Sequence, residues 1–171
     1  MSLLLNGSKT LTLAGTEMQC IEIYTGESYT LPFQFTYANT APIDCTGWSV
    51  NASAKFWSCD TVTYSTLNPD EVVLGNLTLS SPQPNTGANT YSANLTAAFT
   101  TAASGLGYIY IPSDLTGNVN GDGTPIIPSS AASTANPSTL VVVTMGVSRT
   151  DALSSETNFN KEPIGVIVRY Q

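Results

Sequence analysis

The chain contains no histidine. That removes the side chain most used as a general base near neutral pH, the Ser-His and Cys-His catalytic pairs, and most zinc and iron sites. Charge is scarce as well: 10% of residues are Asp, Glu, Lys or Arg, against about 25% in an average soluble domain. The five bases, Lys9, Lys55, Arg149, Lys161 and Arg169, are scattered. Clustered cations are what neutralise phosphates or an anionic bilayer, so neither nucleic acid nor membrane is expected as a partner. No apolar run approaches the roughly 18 to 20 residues of a membrane span. The opening MSLLLNGSK has too short an apolar run and no basic head for a signal peptide, so synthesis in a cytoplasm is expected. Three cysteines, Cys20, Cys45 and Cys59, lack CxxC spacing. They read as small buried hydrophobes, with one disulfide open as an alternative that leaves a thiol over.

Catalysis without histidine would need a carboxylate pair, a lysine or a perturbed cysteine. Lys9 and Lys161 lie in polar runs, where nothing depresses a pKa. The acids are spread singly except Asp70-Glu71, and adjacent strand residues point to opposite faces, which makes that pair a poor dyad. The expectation is a non-enzyme without cofactor: no catalytic, cofactor-binding or metal residue is assigned. One metal-like stretch, NVNGDG, places Asn118, Asn120 and Asp122 before Gly123, as a calcium loop does. The first ligand is Asn rather than Asp, and Ser129 stands where the bidentate Glu belongs. A Gly/Asn-rich turn is the simpler reading. Four glycosylation sequons, at Asn6, Asn51, Asn76 and Asn94, match what an Asn/Ser/Thr-rich chain produces by chance.

What the chain does have is threonine, serine and asparagine for solubility, and threonine favours strands because its branched Cβ suits a pleated surface. At 171 residues and 18.0 kDa it fits one domain able to bury roughly two-thirds of its unfolded surface. Alternation dominates. Residues 3–13 alternate around Asn6-Gly7, a hairpin signal. Residues 18–24 follow. Then Tyr29, Leu31, Phe33, Phe35 and Tyr37 alternate with polar residues. Pro32 cannot donate to a ladder, so this strand is expected at an edge, or with its missing N–H on an unpaired side. Trp48 to Phe56, Val72 to Leu79, a run starting at Tyr91, and Tyr108 to Ile111 read as further strands. Residues 96–104, TAAFTTAAS, are the one expected helix, ended by Gly105 and Gly107. LVVVTMGV, Leu140 to Val147, is nearly continuously apolar and reads as a central strand buried on both faces. Ile164 to Tyr170 is the last strand. Residues 116–138 carry six Gly and Pro breakers and read as a long polar loop. Strands separated by turns at about ten- to fifteen-residue spacing give the expected architecture: a single antiparallel β-sandwich over residues 1–171, with residues 1–20 as an N-terminal arm.

Two segments, residues 26–56 and 91–111, carry a resemblance. The first holds Gly26-Glu27, Tyr29, then Pro42-Ile43-Asp44 and Thr46-Gly47; the second holds Leu95-Thr96, Thr101-Ala102-Ala103, Gly107, Tyr108 and Tyr110. Together they resemble the N-terminal, immunoglobulin-like β-sandwich of phage upper-baseplate proteins and related small virion domains. That family has a more hydrophobic aliphatic where Cys45 stands, and residues 116–138 and the C-terminal strands have no counterpart in it. The resemblance implies a bacteriophage virion structural protein. It would be assembled in the bacterial cytoplasm and would contact other virion proteins and further copies of itself as a homo-oligomer. The absence of a fibre extension suggests a capsid decoration or cement subunit, with a baseplate or tail component as the alternative. A third possibility is a carbohydrate-binding host-attachment module, with Tyr24, Trp48, Trp57, Tyr64, Tyr91 and Tyr108 as a stacking platform; alternation places about half of such aromatics in a core instead. Asp44, Thr46 and Gly47 read as a turn, with Asp44 bonding the backbone two residues on.

Overall fold

A computed structural model describes residues 2–5, 8–13, 15–38, 40–59, 62–75, 77–79, 92–116, 138–151 and 154–169. Twelve strands are described: β1 (Ser2–Leu5), β2 (Lys9–Leu13), β3 (Thr16–Tyr24), β4 (Tyr29–Thr36), β5 (Trp48–Cys59), β6 (Val62–Tyr64), β7 (Glu71–Leu74), β8 (Leu77–Leu79), β9 (Ser92–Thr101), β10 (Leu106–Ile111), β11 (Ser138–Asp151) and β12 (Ser154–Arg169). They form one connected sheet in the order β1-β4-β10-β9-β5-β11-β12-β3-β2-β7-β6, with β8 pairing β5 off that path. The sheet is mixed, because β12 runs parallel to β3 and β2 parallel to β7. The expected all-antiparallel arrangement is corrected there. The reason is long-range: β3 and β12 both present apolar side chains on both faces, so each suits an interior position, whichever way the other runs.

Strand β9 links two halves of the sheet. Its start, Ser92 to Leu95, pairs β5, and its end, Thr96 to Thr101, pairs β10. Side chains from both halves meet in one core. Leu31, Phe33 and Phe35 of β4 and Ile109 and Ile111 of β10 come from one side, and Ile21, Ile23, Val141, Val143, Ile164, Val166 and Val168 from the other. A second core lies on the opposite face of β3, β11 and β12: Leu11, Met18, Cys20, Val62, Val72, Leu140 and Ile167. Period two explains the division. On β3, Met18 and Cys20 face the second core while Ile21 and Ile23 face the first. Gly165 lets β12 pack tightly against the second core, since a Cβ there would stand 2.9 Å from the end of the Leu11 side chain and 3.0 Å from the Cys20 Cβ, and both would have to shift.

The run LVVVTMGV is central, flanked by β5 and β12, with Leu140 in one core and Val141 in the other. Strand β4 is an edge over half its length. β10 pairs Tyr29 to Gln34, but β1 covers only Phe33 to Thr36. The Phe35 N–H bonds the Gly105 carbonyl at 3.0 Å, so alternation turns the Gln34 and Pro32 nitrogens the other way, toward β1. At Pro32 β1 has already ended, and no donor is lost.

Five expectations are corrected. Residues 96–101 are strand, not helix, and only Ala102–Ser104 forms a 3₁₀ turn, closed by Gly105 in the left-handed region. Leu95, Ala97 and Phe99 alternate toward the first core, and ladders on β5 and β10 outweigh the helix preference of alanine. A short helix, α1 (Ser113–Thr116), lies elsewhere. The Asn6-Gly7 stretch does not join a hairpin: β1 pairs β4 while β2 pairs β3. The segment 1–20 is therefore strand within the sheet over Ser2–Leu5, Lys9–Leu13 and from Thr16 onward, not an arm. The stretch 72–79 is two strands, β7 on β2 and β8 on β5, and β12 begins ten residues earlier than expected.

Candidate functional site

Two surfaces stand out, one polar and one uncharged. The polar one sits beside the second core. Glu22 on β3 projects from the face opposite Ile21 and Ile23. Arg169 near the end of β12 reaches it at 3.1 Å, Tyr64 on β6 donates its hydroxyl to the same carboxylate oxygen, and Arg169 also donates to the Tyr64 hydroxyl at 2.9 Å. Lys9 on β2 places its ammonium 4.0 Å above the Tyr64 ring. Burial pushes the Glu22 carboxyl up, but hydrogen bonds from Arg169 and Tyr64 and the charges of Arg169 and Lys9 outweigh it and hold the group below its ordinary value. This carboxylate is already satisfied by its neighbours, so the cluster reads as a clamp tying β6 to β2, β3 and β12.

The uncharged surface is the outer face of the β1-β4-β10-β9 half. Gly107, Ile109 and Ile111 turn inward, so Leu106, Tyr108 and Tyr110 line the outside of β10. Leu106 and Tyr110 are each 39% exposed. Thr30, Pro32 and Gln34 on β4 flank them, with Pro32 opposite Tyr108. On β9, Ala98 faces Tyr108 and Thr96 faces Tyr110. None of these outward residues is charged.

Among the described residues the platform aromatics are not gathered. Tyr64 is exposed within the clamp and Tyr24 is exposed opposite Arg169, Tyr108 is on the outer face of β10, and Trp48 packs against the first core. The side chains of Trp57 and Tyr91 lie outside the described residues. The turn at Asp44 forms as read: Thr46 N–H donates to Asp44 Oδ1 at 2.9 Å, and Gly47 takes a φ of 77°. Bonds from the Thr46 hydroxyl and amide hold the Asp44 carboxyl below its usual value. Cys20 and Cys45 are free thiols, one in each core. Among the described residues no three His, Cys, Asp or Glu side chains group as metal ligands. The calcium-like stretch at 118–123 lies outside the described residues, as does 117–137 of the expected loop. The flanks of that loop are described: Thr116 is buried and Ser138 is paired strand.

The clamp was not found by sequence reasoning. Its one signal was that Glu22 and Arg169 occupy polar positions within alternating apolar strands. No family model matches the chain, and no curated protein is significantly similar to it. No helix among the described residues is long and apolar enough to cross a membrane.

Proposed function

We propose that this chain is a non-catalytic structural protein of a bacteriophage virion, folded as an immunoglobulin-like β-sandwich, which decorates or cements the capsid through contacts with other virion proteins. The observation that carries the proposal is the uncharged outer face of β4, β10 and β9, where Leu106 and Tyr110 stand exposed on a rigid scaffold. Protein contacts favour such patches, poor in charge and bearing tyrosine. The residues behind the virion resemblance serve as scaffold here. Gly26 and Gly47 supply positive φ, and Gly107 leaves room for the Phe33 ring. Two of the described acids, Glu22 and Asp44, are engaged by neighbouring donors, which supports a non-catalytic role for that pair.

Cryo-electron microscopy of virions, with addition of the purified chain to shells lacking it, tests the proposal. Density on the shell and saturable rebinding are expected. Density at the tail would move the protein to the baseplate or tail, a position to which the upper-baseplate resemblance points equally. Absence from the particle would overturn the proposal.

A further inference from the structure

We propose that a second copy of this chain docks on the uncharged outer face of β4, β10 and β9, face to face about a two-fold axis. The inference rests on the structural role proposed above and names its contact. Charge selects the occupant. Each copy carries 12 acids against five bases, so two copies repel wherever their acids approach. The ten described acids, Glu17, Glu22, Glu27, Asp44, Asp70, Glu71, Asp114, Asp151, Glu156 and Glu162, all stand outside β4, β9 and β10. The described outward positions of those strands offer Thr, Pro, Gln, Asn, Leu, Tyr and Ala, none of them charged. A two-fold contact must be self-complementary, because the same patch meets itself. A neutral face meets that condition without needing a matched pattern of opposite charges.

Apolar content supplies the attraction. Leu106 and Tyr110 expose 39% each, and Pro32 is exposed beside Tyr108. In a two-fold arrangement β10 crosses β10, and these side chains interleave while the flanking threonines stay at the rim. Edge-to-edge growth is disfavoured at the neighbouring stretch of β4, where Pro32 offers no donor. The free face, not the free edge, is left for association. With two exposed large apolar side chains per copy on this face, the contact is placed in the small interface class, so the dimer is weak in solution and gains from high local concentration on a particle.

Sedimentation velocity of the full chain across a concentration series tests this. The wild type should show a reversible monomer–dimer equilibrium that changes little with added salt. Tyr110→Glu and Leu106→Glu should weaken it at least about tenfold by placing like charges across the axis. Val73→Glu, on exposed β7, should leave it unchanged. Should either β10 variant fail to melt cooperatively, Thr96→Glu, at an exposed position facing Tyr110, serves in its place. A chain that stays monomeric throughout, or a dimer indifferent to all three charges, overturns the inference. So does a monomer that binds neutral glycans on an array and loses them in Tyr110→Glu, which would assign the face to a polysaccharide. Location in virions with no dimer would sink this inference and spare the structural role; a dimer from a protein absent from particles would do the reverse.

Discussion

Phe33 and Gly107 face each other across β4 and β10, and neither has room to change. The Phe33 ring meets Phe35 and Phe99 at centroid distances of 5.3 and 5.9 Å, edge to face. Phe33→Ala would remove that cluster and leave a void, and should cost about 3 to 5 kcal/mol in chemical denaturation. Gly107→Ala should also destabilise, although it adds a methyl. Its Cβ would stand 2.4 Å from the Phe33 ring and 2.6 Å from the Ala98 carbonyl, and the carbonyl belongs to a paired strand. Glu22 makes a different kind of prediction. Its folded pKa lies below the unfolded value of about 4.3, so the native state stabilises the ionised form. That stability is fully present above the unfolded value and is lost as pH falls through the folded one. Acid titration of denaturation midpoints should therefore show wild type and Glu22→Gln converging at low pH, with wild type the more stable near neutrality. A difference that is constant with pH would show that the carboxylate charge does not matter to the clamp.

At the scale of elements, the base of the long polar segment is closed by the scaffold. Gly26 N–H donates to the Thr116 carbonyl at 3.1 Å, and Thr25 N–H donates to the Arg169 carbonyl at 2.9 Å. Arg169 in turn pairs Ser138. The two flanks are thus held at one end of the sheet by the β3–β4 turn. Replacing residues 117–137 by a short Gly-Ser link, keeping Thr116 and Ser138, should preserve a cooperative melt. The loop-closure term alone changes by roughly 1 kcal/mol, in the stabilising direction. A large loss of stability would mean that the segment packs as core. Which elements could be read from sequence follows from the range of the forces involved. The alternation from Tyr29 to Tyr37 and the apolar run at Leu140 were legible, because one or both faces are buried against the core and composition records that. So was the special position of Pro32, which lies where β1 has ended. The stretch TAAFTTAAS was misread because its alanines suit a helix, while the ladders that make it a strand come from β5 and β10. Asn6-Gly7 suggested a local hairpin, but β1 buries Leu5 in the first core and so joins β4. The clamp was illegible for the same reason: Glu22 and Arg169 are 147 residues apart, and only the parallel β3–β12 pairing brings them together.

Over the whole molecule, two cores share the strands between them, and this should make the fold one cooperative unit. Strands β3, β11 and β12 contribute side chains to both clusters, with Cys20 next to Ile21 and Leu140 next to Val141 pointing opposite ways. Neither cluster can lose its lining from these strands without disturbing the other. The two described thiols report on this, since Cys20 belongs to the second core and Cys45 to the first. Burial, aided by the Glu22 charge, pushes the Cys20 thiol up to about 11, and burial with the Asp44 charge does the same for Cys45. Only the thiolate reacts, so in the native state both should resist alkylation at neutral pH. Labelling followed by peptide mass spectrometry, over a rising denaturant series, should find Cys20 and Cys45 exposed together at the global transition. Early labelling of Cys20 alone would show that β6 and β7 lift from the sheet as a separate unit. In that case the Glu22–Arg169–Tyr64 clamp would set the stability of one flap and not of the whole sheet.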